Sequence, residues 1–253
     1  MMRIKEYRKA ESLEEAYELN QKKSNRIIAG GLWMKMGDRN LMTAIDLSGL
    51  GLDQIEETEN EFVIGCMATL RDLEVHSGLN AYTKGAAKES VCHIVGVQFR
   101  NCATVGGSIY GRFGFSDVLT LFAALDCYVE LYHGGNVPIR DFIHMDYDND
   151  ILVAVHIKKT PLKVTYLSQR NTATDFPVLA VAVEDKLHVS IGARPVKADV
   201  LTVDLSEKAD MDQLVKKVTE SFPFGSNRRA GADYRRHLSG VLFKRACTAN
   251  NDN

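Results

Sequence analysis

Residues 103–131 read ATVGGSIYGRFGFSDVLTLFAALDCYVEL, a small glycine-bearing loop followed by a strongly apolar helix from Ser116 and then a strand. A second glycine pair, in Ala29-Gly30-Gly31, directly follows the short strand predicted at Arg26-Ile27-Ile28. Glycine adopts positive φ and lets a ligand approach the backbone closely, so each loop can turn its N–H groups toward an anion. Two such loops suit one diphosphate, and ordinary turns are the alternative interpretation of the same spacing.

The composition is that of an ordinary soluble globular protein. The 253 residues are 45% hydrophobic and 25% charged, and 31 Lys and Arg nearly balance 33 Asp and Glu. The sequence has neither the long apolar run of a membrane span nor the apolar core of a secretory signal, so neither is expected. The net charge of −2 and the lack of a binding motif argue against nucleic acid as a partner.

The cysteines and histidines indicate a cytoplasmic protein without a metal site of its own. The five cysteines are odd in number and widely spaced, which argues against disulfides, a zinc ribbon and an iron–sulfur cluster within the chain. The seven histidines never form HxH, HxxH or HxxxH, so no metal site is predicted. The P-loop pattern GxxxxGK[ST] is also absent from the sequence.

The order of predicted elements indicates an α+β protein. The first 50 residues have the pattern of a strand–helix–strand unit, with Ser12 as a helix cap, and Thr69 is a second predicted cap. One apolar helix is predicted over residues 86–97. Short β-type runs begin near residue 150, two amphipathic helices follow, and the polar tail 248–253 is predicted to be disordered.

Four motifs in order resemble the FAD-binding (medium) subunit of the molybdenum hydroxylases, the group of xanthine dehydrogenase and carbon monoxide dehydrogenase. The two loops are similar to the family's AGGTDL and TIGGN, and the second is followed by the serine–aspartate pair Ser116-Asp117. SIGARPVKA at 190–198 and AGADYRRHLSGVLFKRA at 230–246 resemble segments of the family's C-terminal domain. The resemblance therefore runs over nearly the whole chain.

The resemblance implies an α+β architecture. The expected fold is the FAD-binding fold of the vanillyl-alcohol oxidase (PCMH) type in two subdomains, followed by a small α+β C-terminal domain. The implied boundaries are residues 1–160 for the FAD-binding domain, with a subdomain break near 52, and 161–253 for the C-terminal domain.

The resemblance also implies which residues contact FAD. The first loop would hold the diphosphate, the second loop the diphosphate and ribityl parts, and Asp117 with Ser116 a sugar hydroxyl, while Ile94 and Leu152 would lie beside the ring systems. No protein residue is expected to act as acid, base or nucleophile, because the flavin carries the chemistry. The implied cofactor-binding residues are Ile28, Ala29, Gly30, Gly31, Leu32, Trp33, Met34, Ile94, Ala103, Thr104, Gly106, Gly107, Ser108, Gly111, Ser116, Asp117 and Leu152.

The implied function is electron transfer within a multi-subunit oxidoreductase. Partner subunits would carry molybdopterin and [2Fe-2S] clusters, and FAD in this chain would pass electrons to NAD or another acceptor. The alternative is a docking subunit of the same complex that has lost its flavin, because Leu32-Trp33 stands where the family has Thr-Asp or Gln-Ser. The basic residues near the C-terminus are interpreted either as a face for a partner or the cofactor's adenine end, or as a solvated helix surface.

Overall fold

The structure, a computed structural model, describes residues 2–205 and 210–252. The strands are β1 (Arg3–Lys9), β2 (Arg26–Ile28), β3 (Asn40–Asp46), β4 (Ile55–Glu57), β5 (Glu61–Gly65), β6 (Cys127–Leu131), β7 (Gly135–Pro138), β8 (Leu152–Lys158), β9 (Val164–Arg170), β10 (Pro177–Glu184), β11 (His188–Gly192) and β12 (Asp199–Thr202). The helices are α1 (Leu13–Asn20), α2 (Leu70–Val75), α3 (Ser77–Tyr82), α4 (Ala86–Cys92), α5 (Val97–Arg100), α6 (Val105–Tyr110), α7 (Asp117–Ala124), α8 (Ile139–His144), α9 (Met211–Ser221) and α10 (Ala232–Asp252), with a 3₁₀ turn at Met34–Met36.

The N-terminal unit is a parallel sheet in the order β1-β3-β2, with α1 joining β1 to β2. The predicted cap at Ser12 is confirmed, because its hydroxyl accepts the N–H of Glu15 at 3.1 Å. The reciprocal bond of a capping box is not made: the Glu15 carboxylate instead accepts the N–H of Glu11 and pairs with Arg8. At Thr69 the full capping box forms, with Asp72 as its partner.

The second sheet is antiparallel, in the order β4-β5-β8-β6-β7. Helix α6 packs against β5 and β8 of this sheet, and it ends just before the turn that leads into α7. Every residue of α7 is buried, which explains why its sequence is apolar on all sides rather than on one face.

The third sheet is antiparallel, in the order β12-β11-β10-β9, and lies between helices on both faces. Strand β10 is buried at all eight positions, and its side chains alternate in size. Ala180 and Ala182 belong to the core shared with α7, whereas Leu179 and Val181 belong to the core under α9 and α10. The small residues allow a close approach of α7, and the alternation is the period of two of a β-strand.

Two local predictions are wrong. The helix predicted over 86–97 ends at Cys92, because Val95 adopts a positive φ of 50° before Gly96 opens α5. The tail predicted to be disordered continues α10 as far as Asp252. Asn250 is only 3% exposed, donates to the Val183 carbonyl at 3.0 Å and accepts from the Thr165 hydroxyl at 2.7 Å, so the third sheet holds the tail.

The α+β class is confirmed. The chain passes from the first sheet to the second at residues 47–54, and from the second to the third at residues 159–163. The division into folding domains at 52 and 160 stays a prediction. Among the helices described, none has the length and apolar character needed to cross a membrane.

Candidate cofactor-binding cleft

A cleft of about 980 Å³ lies where elements of the three sheets meet. Its walls come from the first glycine loop, here residues 29–34, the second glycine loop, here residues 103–111, the segment 147–152 and the segment 170–176. This volume is at the upper end of the range of about 300–1,000 Å³ that small-molecule sites occupy. The cleft is therefore large enough for an extended ligand.

The two glycine loops touch each other at Gly30. A Cβ at this position would stand 2.0 Å from the carbonyl oxygen of Cys102, the residue immediately before the second loop. That approach is open only to glycine. Gly31 is required for a different reason, because its φ is +64° and a side chain there would be strained.

The first glycine loop offers unused backbone donors. The N–H groups of Gly30, Gly31, Leu32 and Trp33 donate no hydrogen bond to any residue in the described ranges 2–205 and 210–252. The cationic side chains of Lys23, Arg26 and Arg39 also line the cleft. Free N–H groups together with positive side chains favour an anion such as a diphosphate.

The second glycine loop differs from the prediction of a second set of free donors. Val105 N–H donates to the Ala68 carbonyl at 2.8 Å, and Gly106 N–H donates to the Cys66 carbonyl at 2.9 Å. Gly107 N–H donates to the hydroxyl of Thr104, which caps α6. This loop therefore contributes shape and close approach rather than a row of anion donors.

Asp117 takes part in a buried ion pair on the cleft wall. Its Oδ1 accepts from Arg170 Nη2 at 2.5 Å and from the Tyr166 hydroxyl, and it is 4% exposed. Burial raises the pKa of the Asp117 carboxyl to about 6, although Arg170 and Tyr166 oppose that rise. Asp117 Oδ2 accepts no hydrogen bond within the described part of the chain, and Arg170 Nε is buried without a partner there. Both residues line the cleft, so the two atoms without a partner belong to its wall.

Aromatic rings meet beside the first glycine loop. The Trp33 ring lies 5.2 Å from Phe115, 5.3 Å from Phe176 and 6.1 Å from Phe99, measured between ring centroids. Phe113 stacks on Phe115 at 5.2 Å. Of these aromatic residues, only Trp33 was predicted from the sequence to bind the cofactor. Phe113 and Phe115 were missed, although they stand just before the predicted site residue Ser116 in the stretch FGFS.

The structure brings the predicted site residues together with one exception. Ile28 does not line the cleft, whereas its neighbours Ile27 and Ala29 do. The reason is strand alternation, since Ile28 pairs with Asp46 at the end of β2 and its side chain lies on the opposite face. The predicted residues that line the cleft are Ala29, Gly30, Gly31, Leu32, Trp33, Met34, Ile94, Ala103, Thr104, Gly106, Gly107, Ser108, Gly111, Ser116, Asp117 and Leu152.

The C-terminal basic residues do not act as one surface. Arg235 is fully buried and donates to the carbonyls of Val178 and Gly225, which is a structural role. Arg229 lies at the cleft end of the third sheet, where it pairs with Asp175 at 2.8 Å and covers the ring of Phe176 at 4.8 Å.

Known proteins resemble this chain in sequence and in fold. A search of curated proteins finds Uncharacterized protein YgfM of Escherichia coli K12, 25% identical over 250 residues, which cover 94% of this chain and 93% of that protein. Two similar solved structures are CO dehydrogenase from Oligotropha carboxidovorans and quinoline 2-oxidoreductase from Pseudomonas putida 86. The first has a TM-score of 0.85 at 23% identity and covers 97% of this chain and 96% of that chain. The second has a TM-score of 0.83 at 19% identity and covers 97% of this chain and 96% of that chain.

The similar solved structures show the fold of this chain, and a match to a family profile shows the family to which it belongs. The profile described as FAD binding domain in molybdopterin dehydrogenase matches residues 2–159, which include both glycine loops, Asp117 and Leu152. The chain therefore belongs to the family of FAD-binding domains of molybdopterin dehydrogenases.

Proposed function

We propose that this chain is the FAD-carrying subunit of a multi-subunit molybdenum hydroxylase of the xanthine dehydrogenase or carbon monoxide dehydrogenase type. In this role it lies between iron–sulfur clusters of a partner subunit and NAD or another electron acceptor. The observation that carries the proposal is the row of unused N–H groups at Gly30–Trp33, at the edge of a cleft that 16 of the 17 predicted residues line.

The first loop fits the diphosphate. Backbone N–H groups of Gly30, Gly31 and Leu32 bind phosphate oxygens without a competing counter-charge, and Arg26 and Lys23 add positive charge on the same wall. Gly30 keeps this loop against Cys102, so the donors stay next to the second loop.

The remaining contacts divide by chemistry. Asp117 Oδ2 would accept a hydrogen bond from a sugar hydroxyl, and Arg170 holds the Asp117 carboxylate in place through its Oδ1. Ile94 and Leu152 provide apolar contact for the ring systems of FAD. Trp33, in the first glycine loop, packs its own ring against them. When bound, FAD supplies the electron-transfer and hydride chemistry, and these residues bind and orient it.

The partners follow from the family. A subunit with molybdopterin would oxidise the substrate, and a second subunit with [2Fe-2S] clusters would connect it to this chain. The names of the solved structures with a similar fold, CO dehydrogenase and quinoline 2-oxidoreductase, support an oxidoreductase role.

The test is purification of the tagged chain from its native cells, followed by metal and cofactor analysis of what elutes with it. The proposal expects molybdenum, molybdopterin and iron to co-elute with the FAD of this chain. It further expects the reduced complex to lose its reduced-flavin absorption when NAD⁺ or the true acceptor is added anaerobically. Elution of the chain alone, without iron or molybdenum, would contradict the assignment to a complex.

A docking subunit without flavin is the second candidate. One observation favours it: Trp33, Phe115 and Phe176 bring their rings together at one side of the cleft, and Leu32 and Trp33 offer no hydroxyl or carboxylate to a cofactor. Uptake of FAD by the purified chain separates the two candidates.

A further inference from the structure

A cluster of side chains of the types that can bind a metal ion lies outside the cleft, at the C-terminal end of α4. Glu89, Cys92 and His93 are spaced i, i+3 and i+4, so they lie on one face of the helix. Each offers one ligand atom, and the three atoms lie within 4.8 Å of one another. Ile94 and Val95 follow directly and line the cleft, so the cluster is next to it.

The distances in this cluster are close to those of a metal coordination shell. His93 Nε2 lies 3.4 Å from Glu89 Oε1, and Cys92 Sγ lies 3.8 Å from the other carboxylate oxygen, Glu89 Oε2. With one ligand atom from each residue, all three atoms lie within 4.8 Å of one another. With metal–N and metal–O bonds of about 2.0 Å and metal–S bonds of about 2.3 Å, tetrahedral ligands stand roughly 3.3–3.5 Å apart. A small movement of side chains on the helix surface therefore closes the shell.

We propose that Glu89, Cys92 and His93 form a binding site for a divalent cation of the zinc class. A thiolate, an imidazole and a carboxylate together are ligands typical of Zn²⁺ and Co²⁺, whereas Mg²⁺ and Ca²⁺ prefer oxygen ligands alone. Three protein ligands leave a fourth position, and solvent reaches it because the side chains of Glu89 and His93 are 48% and 42% exposed.

The electrostatic surroundings favour a cation. The carbonyl groups at the end of a helix carry partial negative charge, and Glu89 adds a full one. Two nearby positive charges are already neutralised, since Arg100 pairs with the buried Glu74 at 2.8 Å and Arg170 pairs with Asp117.

This site differs from the expectation of no metal site in the chain. The histidine-pair patterns do not include this site, because its pattern is Glu-x-x-Cys-His, with a single histidine. The three residues are near in sequence, but only the helix places their side chains on one surface.

The test is a titration of the purified, chelator-treated full chain with Co²⁺, followed by displacement with Zn²⁺. The expected result is one Co²⁺ per chain, with a thiolate-to-cobalt charge-transfer band in the near ultraviolet and visible bands of tetrahedral intensity. Cys92→Ser should abolish the charge-transfer band, and His93→Ala should weaken binding by more than about 100-fold, since even a lost outer-shell contact costs about 10–100-fold.

Matched controls come from the same chain. Cys102→Ser removes a different thiol, which is exposed where Cys92 is half-buried, and His144→Ala removes an exposed histidine that also pairs with a carboxylate, Asp199. Both variants should bind Co²⁺ as the wild type does, with unchanged circular dichroism. The proposal is overturned if the wild type shows no charge-transfer band, or if the band survives in Cys92→Ser.

Discussion

Replacing Gly30 by alanine should weaken FAD binding without unfolding the protein. The new Cβ would stand 2.0 Å from the Cys102 carbonyl oxygen and 2.6 Å from its carbon, whereas ordinary contacts begin near 3.4 Å. Both neighbours are backbone atoms, so the two loops must separate by more than 1 Å. Overpacking of this kind costs about 1–3 kcal/mol.

The affinity should fall by a corresponding factor. If FAD binds only when the loops have their wild-type spacing, the strain of restoring that spacing is subtracted from the binding free energy. A loss of 1–3 kcal/mol is about a 5- to 150-fold increase in Kd. The assay is quenching of flavin fluorescence, with circular dichroism to show that the variant is folded.

Gly231→Ala is the matched control. A Cβ there meets nothing within 4 Å, and the residue lies outside the cleft, so its Kd for FAD should be that of the wild type. A folded Gly30→Ala protein with wild-type affinity would refute the idea that loop contact at Gly30 sets the geometry of the site.

Three further outcomes are expected. FAD should quench the fluorescence of Trp33, the only tryptophan, to a saturable end point, and Trp33→Phe should lose this signal while still binding FAD. Asp117→Asn should lower the free energy of unfolding by about 3–5 kcal/mol in urea denaturation, because it leaves buried Arg170 unpaired, and adding Arg170→Met should restore much of the loss. Burial alone would raise the pKa of Glu184, but the bond to His188 and the backbone N–H groups lower this pKa from 4.5 to about 2. The ionised Glu184 side chain therefore stabilises the fold fully above the pKa of the unfolded state, and this stabilisation is lost as the pH falls toward the pKa of the folded state. Glu184→Gln should therefore start with a lower Tm at neutral pH and lose less Tm than the wild type between about pH 5 and pH 3.

The sequence predicted features that depend on near neighbours. Ser12 and Thr69 cap their helices through residues three positions away, so their patterns were sufficient. The glycine loops could be predicted because their backbone geometry admits only glycine. At Gly31 the reason is a positive φ, and at Gly30 it is the close approach of another backbone segment.

Features that depend on distant partners were missed. Two N–H groups of the second loop donate to carbonyls about forty residues earlier in the chain, at Cys66 and Ala68. Nothing in the local sequence TVGGS indicates these two hydrogen bonds. Phe176 and Arg170 reach the cleft from the third sheet, which packs there only after the chain has folded. In the sequence Asn250 belongs to a polar tail. Its hydrogen-bond partners lie far away along the chain, on β9 and β10, so its burial could not be predicted.

The central claim is that this chain itself carries FAD. Its most direct test is the absorption spectrum of the purified chain, before and after denaturation, with the released cofactor identified by mass. The account predicts flavin bands that correspond to nearly one FAD per chain. A chain that is folded, contains no flavin and takes up none when FAD is added would contradict it.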